Sequence, residues 1–175
     1  MSLFKDKDRY FSRKGDLYLA NKYNGKMEGY DENCVKAAVT YLSRLQGKDV
    51  TALPTYDMKN DVVASNWNKV YNGFRSEYCG ENPKDFIESK MNNAGDNALG
   101  MIRLNYFYEG TLNGHVFTVE KIDGKIFYKD PQINVTDASV YFENSRFFGF
   151  EFGIVDGCKP TDLAYLCMRN RFDNE

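Results

Sequence analysis

From residue 35 to residue 45 the apolar positions Val35, Ala38, Val39, Leu42 and Leu45 return at helical spacing. Asp31, Glu32 and Asn33 ahead of them offer capping and first-turn chemistry, and Gly47 stands where a helix stops. The pattern predicts a helix that opens at about Cys34. A short strand is expected at 49–53, closed by Pro54. Residues 62–79, with Val63, Trp67, Val70, Tyr71 and Phe74, read as a second amphipathic helix. Asn82-Pro83-Lys84-Asp85 is a strong helix start, with proline at the first helical position. That helix runs to about Asn92 and turns Phe86, Ile87 and Met91 inward.

After Gly95 the period drops from helical to alternating, which predicts strands at about 98–108, 115–121, 125–130 and 146–155. Residues 162–168 read as a short last helix, 5–14 as a short charged helix or arm, and 15–30, rich in Gly, Tyr and Asn, as loop. Helices come first and closely spaced strands afterwards, so the expected class is α+β, with the N-terminal helices packed on an antiparallel sheet.

The strongest local signal is Asp123-Gly124 between two alternating runs, a hairpin turn. A two-residue turn sets Ile122 opposite Lys125, and a four-residue loop sets Glu120 opposite Lys125. In both registers His115 and Asp130 share a face, directly opposite in the longer loop and diagonal in the shorter. His115, Phe117, Val119, Ile126, Tyr128 and Asp130 form a mostly apolar face; Val116, Thr118, Glu120, Lys125, Phe127 and Lys129 form a mixed, charged one. The chain's single histidine thus stands at the end of a buried face beside a carboxylate, which can fix its tautomer and stabilise the imidazolium.

Composition removes several classes. The net charge of −2, with Lys5, Lys7, Arg9, Arg13 and Lys14 interrupted by Asp6, Asp8 and Asp16, lacks the basic stripe of a nucleic-acid binder. No apolar run approaches the roughly 20 residues of a membrane span. The first residues are charged early and carry no apolar h-region, so no signal peptide is expected in this chain. The four cysteines, Cys34, Cys79, Cys158 and Cys167, are too sparse for a disulfide scaffold and too scattered for zinc. No metal site is expected, and Cys79, Cys158 and Cys167 read as buried small hydrophobes.

Cys34 is different. It opens a helix, where backbone N–H groups and the helix dipole favour a thiolate and can hold an oxyanion. The polar residues 31–33 predict an exposed first turn there. A cysteine at a helix N-terminus, followed much later by His and then a carboxylate, is the order of papain-type enzymes. Cys34 is then the nucleophile, His115 the base and Asp130 the residue that orients the base. The plain alternative is a satisfied His–Asp pair and a buried cysteine.

Asn33-Cys34, the run Gly47-Lys48-Asp49-Val50-Thr51-Ala52-Leu53-Pro54, Trp67, Gly114-His115-Val116-Phe117 and Asp130-Pro131-Gln132 together resemble the papain-fold toxin family, toxin domains of bacterial polymorphic toxins and effectors that are similar to protein-glutamine deamidases. The resemblance covers roughly 31–157, with 1–30 an N-terminal arm and 158–175 a C-terminal segment of one papain-like domain. It implies the same Cys34, His115 and Asp130, with Asn33, Gln132, Gly114 and Trp67 as oxyanion or substrate candidates. The glutamine that builds papain's oxyanion hole has no match, since Glu28 stands six residues before Cys34. The implied reaction is deamidation of an exposed glutamine on a partner protein, without a cofactor. A peptidase or isopeptidase with the same triad, and an inactive binding module, remain alternatives. The resemblance further implies secretion or translocation into a target cell's cytosol, and a cognate immunity protein as partner.

Overall fold

A computed structural model describes residues 15–22 and 27–171. Its centre is helix α2 (Cys34–Leu45), and all of its residues are buried. One side of α2 lies on a five-stranded antiparallel sheet in the order β3 (Glu77–Tyr78), β7 (Phe148–Ile154), β4 (Leu99–Tyr108), β5 (Thr111–Ile122), β6 (Lys125–Lys129). Leu99, Met101 and Val116 meet Cys34, Val35 and Val39 there. The opposite face buries Ile102, Leu104, Phe117 and Val119 under Ile87 and Met91 of α4 (Pro83–Asn93). The class is α+β with antiparallel sheets.

The sheet is therefore covered on both sides. The face expected to be mixed and charged carries Val116, Thr118 and Glu120 into the interior beneath α2. Glu120 is accommodated because the Tyr41 hydroxyl donates to it at 3.1 Å. Burial of the two charged α2 residues is offset in the same way. Arg44 pairs with Asp16 and Asp49, both at 2.9 Å, and Lys36 pairs with Asp61 at 2.6 Å.

Three expectations need correction. Residues 15–20 are helical (α1) rather than loop, because Leu17 and Ala20 pack on α2 and Asp16 holds Arg44. The expected charged helix or arm at 5–14 lies outside the described residues.

Residues 62–79 are not one helix. Asp61 caps α3 (Val62–Ser65) through Val63 N–H and Ala64 N–H, both at 2.9 Å, and the Asn66 side chain turns back onto Val62 O and ends it. A 3₁₀ turn at Trp67–Lys69 follows, and then β2 (Tyr71–Asn72) pairs with β8 (Lys159–Pro160) while β3 pairs with β7. Remote pairing overrides the local helical pattern.

The last helix is shorter than expected. It ends as α5 (Asp162–Tyr165), and β9 (Met168–Asn170) pairs with β1 (Val50–Ala52), the expected strand after α2.

The hairpin takes the two-residue register. Ile122 faces Lys125, and Asp123 and Gly124 both sit at positive φ (50° and 75°), the geometry that twists with the flanking strands. Asp130 follows the end of β6 and forms a bridge with Val135.

Candidate active site

Helix α2, strand β5 and the turn after β6 bring Cys34, His115 and Asp130 together. Asp130 is fully buried, and its Oδ2 lies 2.7 Å from His115 Nε2. The Cys34 thiol is the ring's other polar neighbour and acts on its charge. With Nε2 engaged by Asp130, Nδ1 is the nitrogen left for the thiol. The ring stacks nearly parallel to Phe117, with centroids 6.5 Å apart, and meets Tyr141 edge-on at 6.1 Å.

The electrostatics follow from this packing. Burial pulls the His115 pKa down, but the charge and hydrogen bond of Asp130, with Cys34 beside them, outweigh it and hold the ring well above the ordinary imidazole value. Burial raises the Asp130 carboxyl, yet His115, the Tyr141 hydroxyl and the Gln132 N–H bring it below the ordinary value. The pair is a buried imidazolium–carboxylate across most of the pH range between the two values. Burial pushes the thiols of Cys79 and Cys167 up to about 12, so both stay protonated and inert. Cys158 is half-buried rather than buried, and all four cysteines are free.

Cys34 is only 6 % exposed, so the first turn of α2 is not the exposed one expected from residues 31–33. Asp31 and Glu32 are exposed, but Asn33 is buried with its amide consumed. Asn33 Nδ2 donates to Asn21 Oδ1 and to Leu53 O, both at 2.9 Å. Both amide protons are spent, so the Asn33 side chain has none for an oxyanion. It also leaves α2 without a side-chain cap. The first-turn N–H groups beside Cys34 therefore remain for a substrate oxygen.

Gln132 has a similar tie. Its backbone N–H donates to Asp130 Oδ1 at 3.1 Å, its side-chain amide to Asp31 O, and its own carbonyl accepts from Asn21 at 2.8 Å. It joins the Asp130 turn to the loop that enters α2.

Gly114 and Trp67 lie with Cys34 on a cavity of about 170 Å³ whose other walls include Met58, Ala64, Ser65 and Arg103. Glu28 is elsewhere, on an open hollow with Asp31, Glu32 and Tyr56.

Four residues escape a reading of the sequence. Tyr141 donates to Asp130 Oδ2 at 2.6 Å from a 3₁₀ helix (Ala138–Glu143) that has no strong periodicity. Asn21 bonds Tyr30 O, Asn33 and Gln132 O from a segment read as loop. Arg103 reaches the cavity from β4. Tyr106, also on β4, lies near Cys34 and Glu32; burial first, then their charges, raise its hydroxyl pKa. Only Arg103 had a usable signal, namely a charged residue in an otherwise apolar stretch of strand.

Comparison with known proteins assigns the fold family. The family model for papain fold toxin 1, glutamine deamidase, matches residues 32–134, more than half of the chain. That span holds α2, β5 and the Asp130 turn. A search of curated proteins finds no match. The chain belongs to the papain fold toxin 1, glutamine deamidase family.

Proposed function

We propose that this member of the family is a protein-glutamine deamidase acting as a toxin or effector by a Cys–His–Asp thiol mechanism. Cys34 Sγ attacks the carboxamide carbon of a glutamine side chain, and the oxyanion takes hydrogen bonds from the uncapped N–H groups at the start of α2. Protonated His115 gives its proton to the departing nitrogen, and ammonia leaves. Neutral His115 then deprotonates a water that attacks the thioester. The C–S bond breaks, the thiol is regenerated and the product is glutamate. Asp130 holds the ring in place and stabilises its charged form. The cycle consumes one water and releases one ammonia, with no cofactor.

The observation that carries the reading is the size of the cavity at Cys34. At about 170 Å³ it is smaller than the 300–1,000 Å³ of pockets that enclose whole small ligands, and it suits one side chain. A peptidase needs an extended groove for chain on both sides of the scissile bond. The substrate is then a folded protein that offers an exposed glutamine. Among the described residues no helix is long and apolar enough to cross a membrane. On this reading the domain works in the cytosol of a target cell after translocation, and its producer holds an immunity protein that covers Cys34.

The test is to incubate the protein and its Cys34→Ala variant with target-cell cytosolic proteins, following ammonia and intact masses together. Ammonia with the mass change of an amide turned into an acid, lost in Cys34→Ala, is the expected result. Cleaved chains without ammonia would replace the deamidase by a peptidase. Neither product would leave an inactive binding module.

A further inference from the structure

Arg103 stands on β4 opposite Val116, and Gly114 lies further along β5 on the same face, opposite Asn105. A Cβ at Gly114 would fall 2.6 Å from Arg103 Nη2 and 2.9 Å from Nε. The guanidinium therefore occupies the space directly over the glycine. Gly114 has no left-handed φ, so its backbone does not require glycine; what requires it is the seat of the guanidinium.

Arg103 has one ion pair among the described residues, Nη1 to Glu151 Oε2 at 3.5 Å. That is longer than the about 2.7–2.9 Å of a strong charge-assisted bond. A half-exposed cross-strand pair of this kind contributes little to stability. It is a weak structural reason to place a cation beside a thiol. The Nε–Nη2 edge packs against Gly114, so a substrate carboxylate in the cavity meets the guanidinium as a positive charge rather than through a two-bond grip. Arg103, Gly114 and Cys34 line the same cavity, and the guanidinium side chain keeps 28 % of its surface exposed.

We propose that Arg103 determines specificity at this site: its guanidinium holds a carboxylate of the substrate beside the group that Cys34 attacks. Joined to the deamidase reading, on which its substrate rests, this selects glutamines with an acidic residue next to them. The charge effect at Cys34 does not depend on that reading.

Two alkylating agents read it directly. Iodoacetate carries a carboxylate next to its reactive carbon, and iodoacetamide carries a neutral amide there. The rates at Cys34 are followed by peptide mass mapping, which separates Cys34 from the other three cysteines. The quantity read is the iodoacetate-to-iodoacetamide ratio within each protein, so differences in folding or thiol reactivity cancel. Arg103→Gln is expected to lower the ratio roughly tenfold, Arg103→Glu further, and Arg103→Lys to keep most of it. Glu151→Gln, at a half-exposed position, is expected to raise it. Added salt should weaken the preference. One ratio shared by the parent protein, Arg103→Gln, Arg103→Glu and Glu151→Gln overturns the proposal. A ratio that tracks the charge in a protein that deamidates nothing would keep the carboxylate site and discard the deamidase.

Discussion

Tyr141 donates its hydroxyl proton to Asp130 Oδ2 at 2.6 Å, the same oxygen that His115 Nε2 meets at 2.7 Å. Two donors on one carboxylate oxygen fix its position and keep it ionised where it is fully buried. Tyr141 is thus a positioning residue that acts through Asp130. Tyr141→Phe removes the hydroxyl and keeps the ring that packs on Phe117. The expected stability loss is about 1.5–3 kcal/mol, the usual worth of a hydrogen bond to a charged group. Turnover should fall several-fold with little change in KM. Denaturant unfolding and steady-state kinetics check both. Unchanged kcat and pH profile in a destabilised protein would reduce Tyr141 to packing.

The His115–Asp130 pair predicts how stability follows pH. His115 is raised, so its contribution is complete below the ordinary value of 6.5 and is lost as the pH climbs through the higher folded value. Asp130 is lowered, so its contribution is complete above the ordinary value of 3.8 and is lost as the pH falls through the lower folded value. Stability should therefore hold level between these limits and decline outside them. Asp130→Asn removes the charge that holds the imidazolium, and the His115 pKa falls. The chain has one histidine, so a single imidazole resonance in an NMR titration reports that fall. The alkaline limb of the rate profile should move to lower pH, with turnover reduced roughly 10²–10⁴-fold. A His115 titration unchanged in Asp130→Asn would refute the coupling.

Asn33 separates a structural role from an oxyanion role. Its amide protons go to Asn21 Oδ1 and Leu53 O. Asn33→Ala orphans these two acceptors, each at a cost of about 1–3 kcal/mol if left buried and unpaired, while Asn21 Nδ2 keeps Tyr30 O and Gln132 O. The melting temperature should drop clearly, while kcat per folded molecule changes little. Asn21→Ala, which also frees Tyr30 O and Gln132 O, should lower it at least as far. A large kcat loss with unchanged stability in Asn33→Ala would return Asn33 to the oxyanion.

What could be read from the sequence were features whose cause is local. Helix α2, helix α4 and the Asp123-Gly124 turn are written in spacing and turn chemistry, and the turn alone sets His115 and Asp130 on one face. The helix expected over 62–79 failed because Tyr71, Asn72, Glu77 and Tyr78 are claimed by strands more than seventy residues away. The faces of β5 were half right. Alternation separates them, but it does not reveal that α2 covers the second and gives Glu120 a buried partner in Tyr41. Exposure at Cys34 was misjudged because the partners of Asn33 come from residues 21 and 53. Tyr141 had no signal at all, since a tyrosine in a 3₁₀ turn reaches Asp130 only once the turn has packed on the sheet.

Gly114→Ala tests whether that glycine serves the backbone or the guanidinium. The added Cβ meets the far end of a flexible side chain, Arg103 Nη2 at 2.6 Å, rather than backbone. Arg103 can swing aside, so the stability change should stay below about 1 kcal/mol, within the range of surface substitutions away from special features and mild crowding. The displaced guanidinium should then lose its hold on an anion at Cys34. The iodoacetate-to-iodoacetamide ratio is expected to move towards that of Arg103→Gln, and combining Gly114→Ala with Arg103→Gln should add nothing more, as residues acting through one contact are not additive. A ratio equal to the parent's in Gly114→Ala would mean that the guanidinium finds the anion from another position and that Gly114 does not seat it. A stability loss of several kcal/mol would instead mark Gly114 as a backbone requirement of β5.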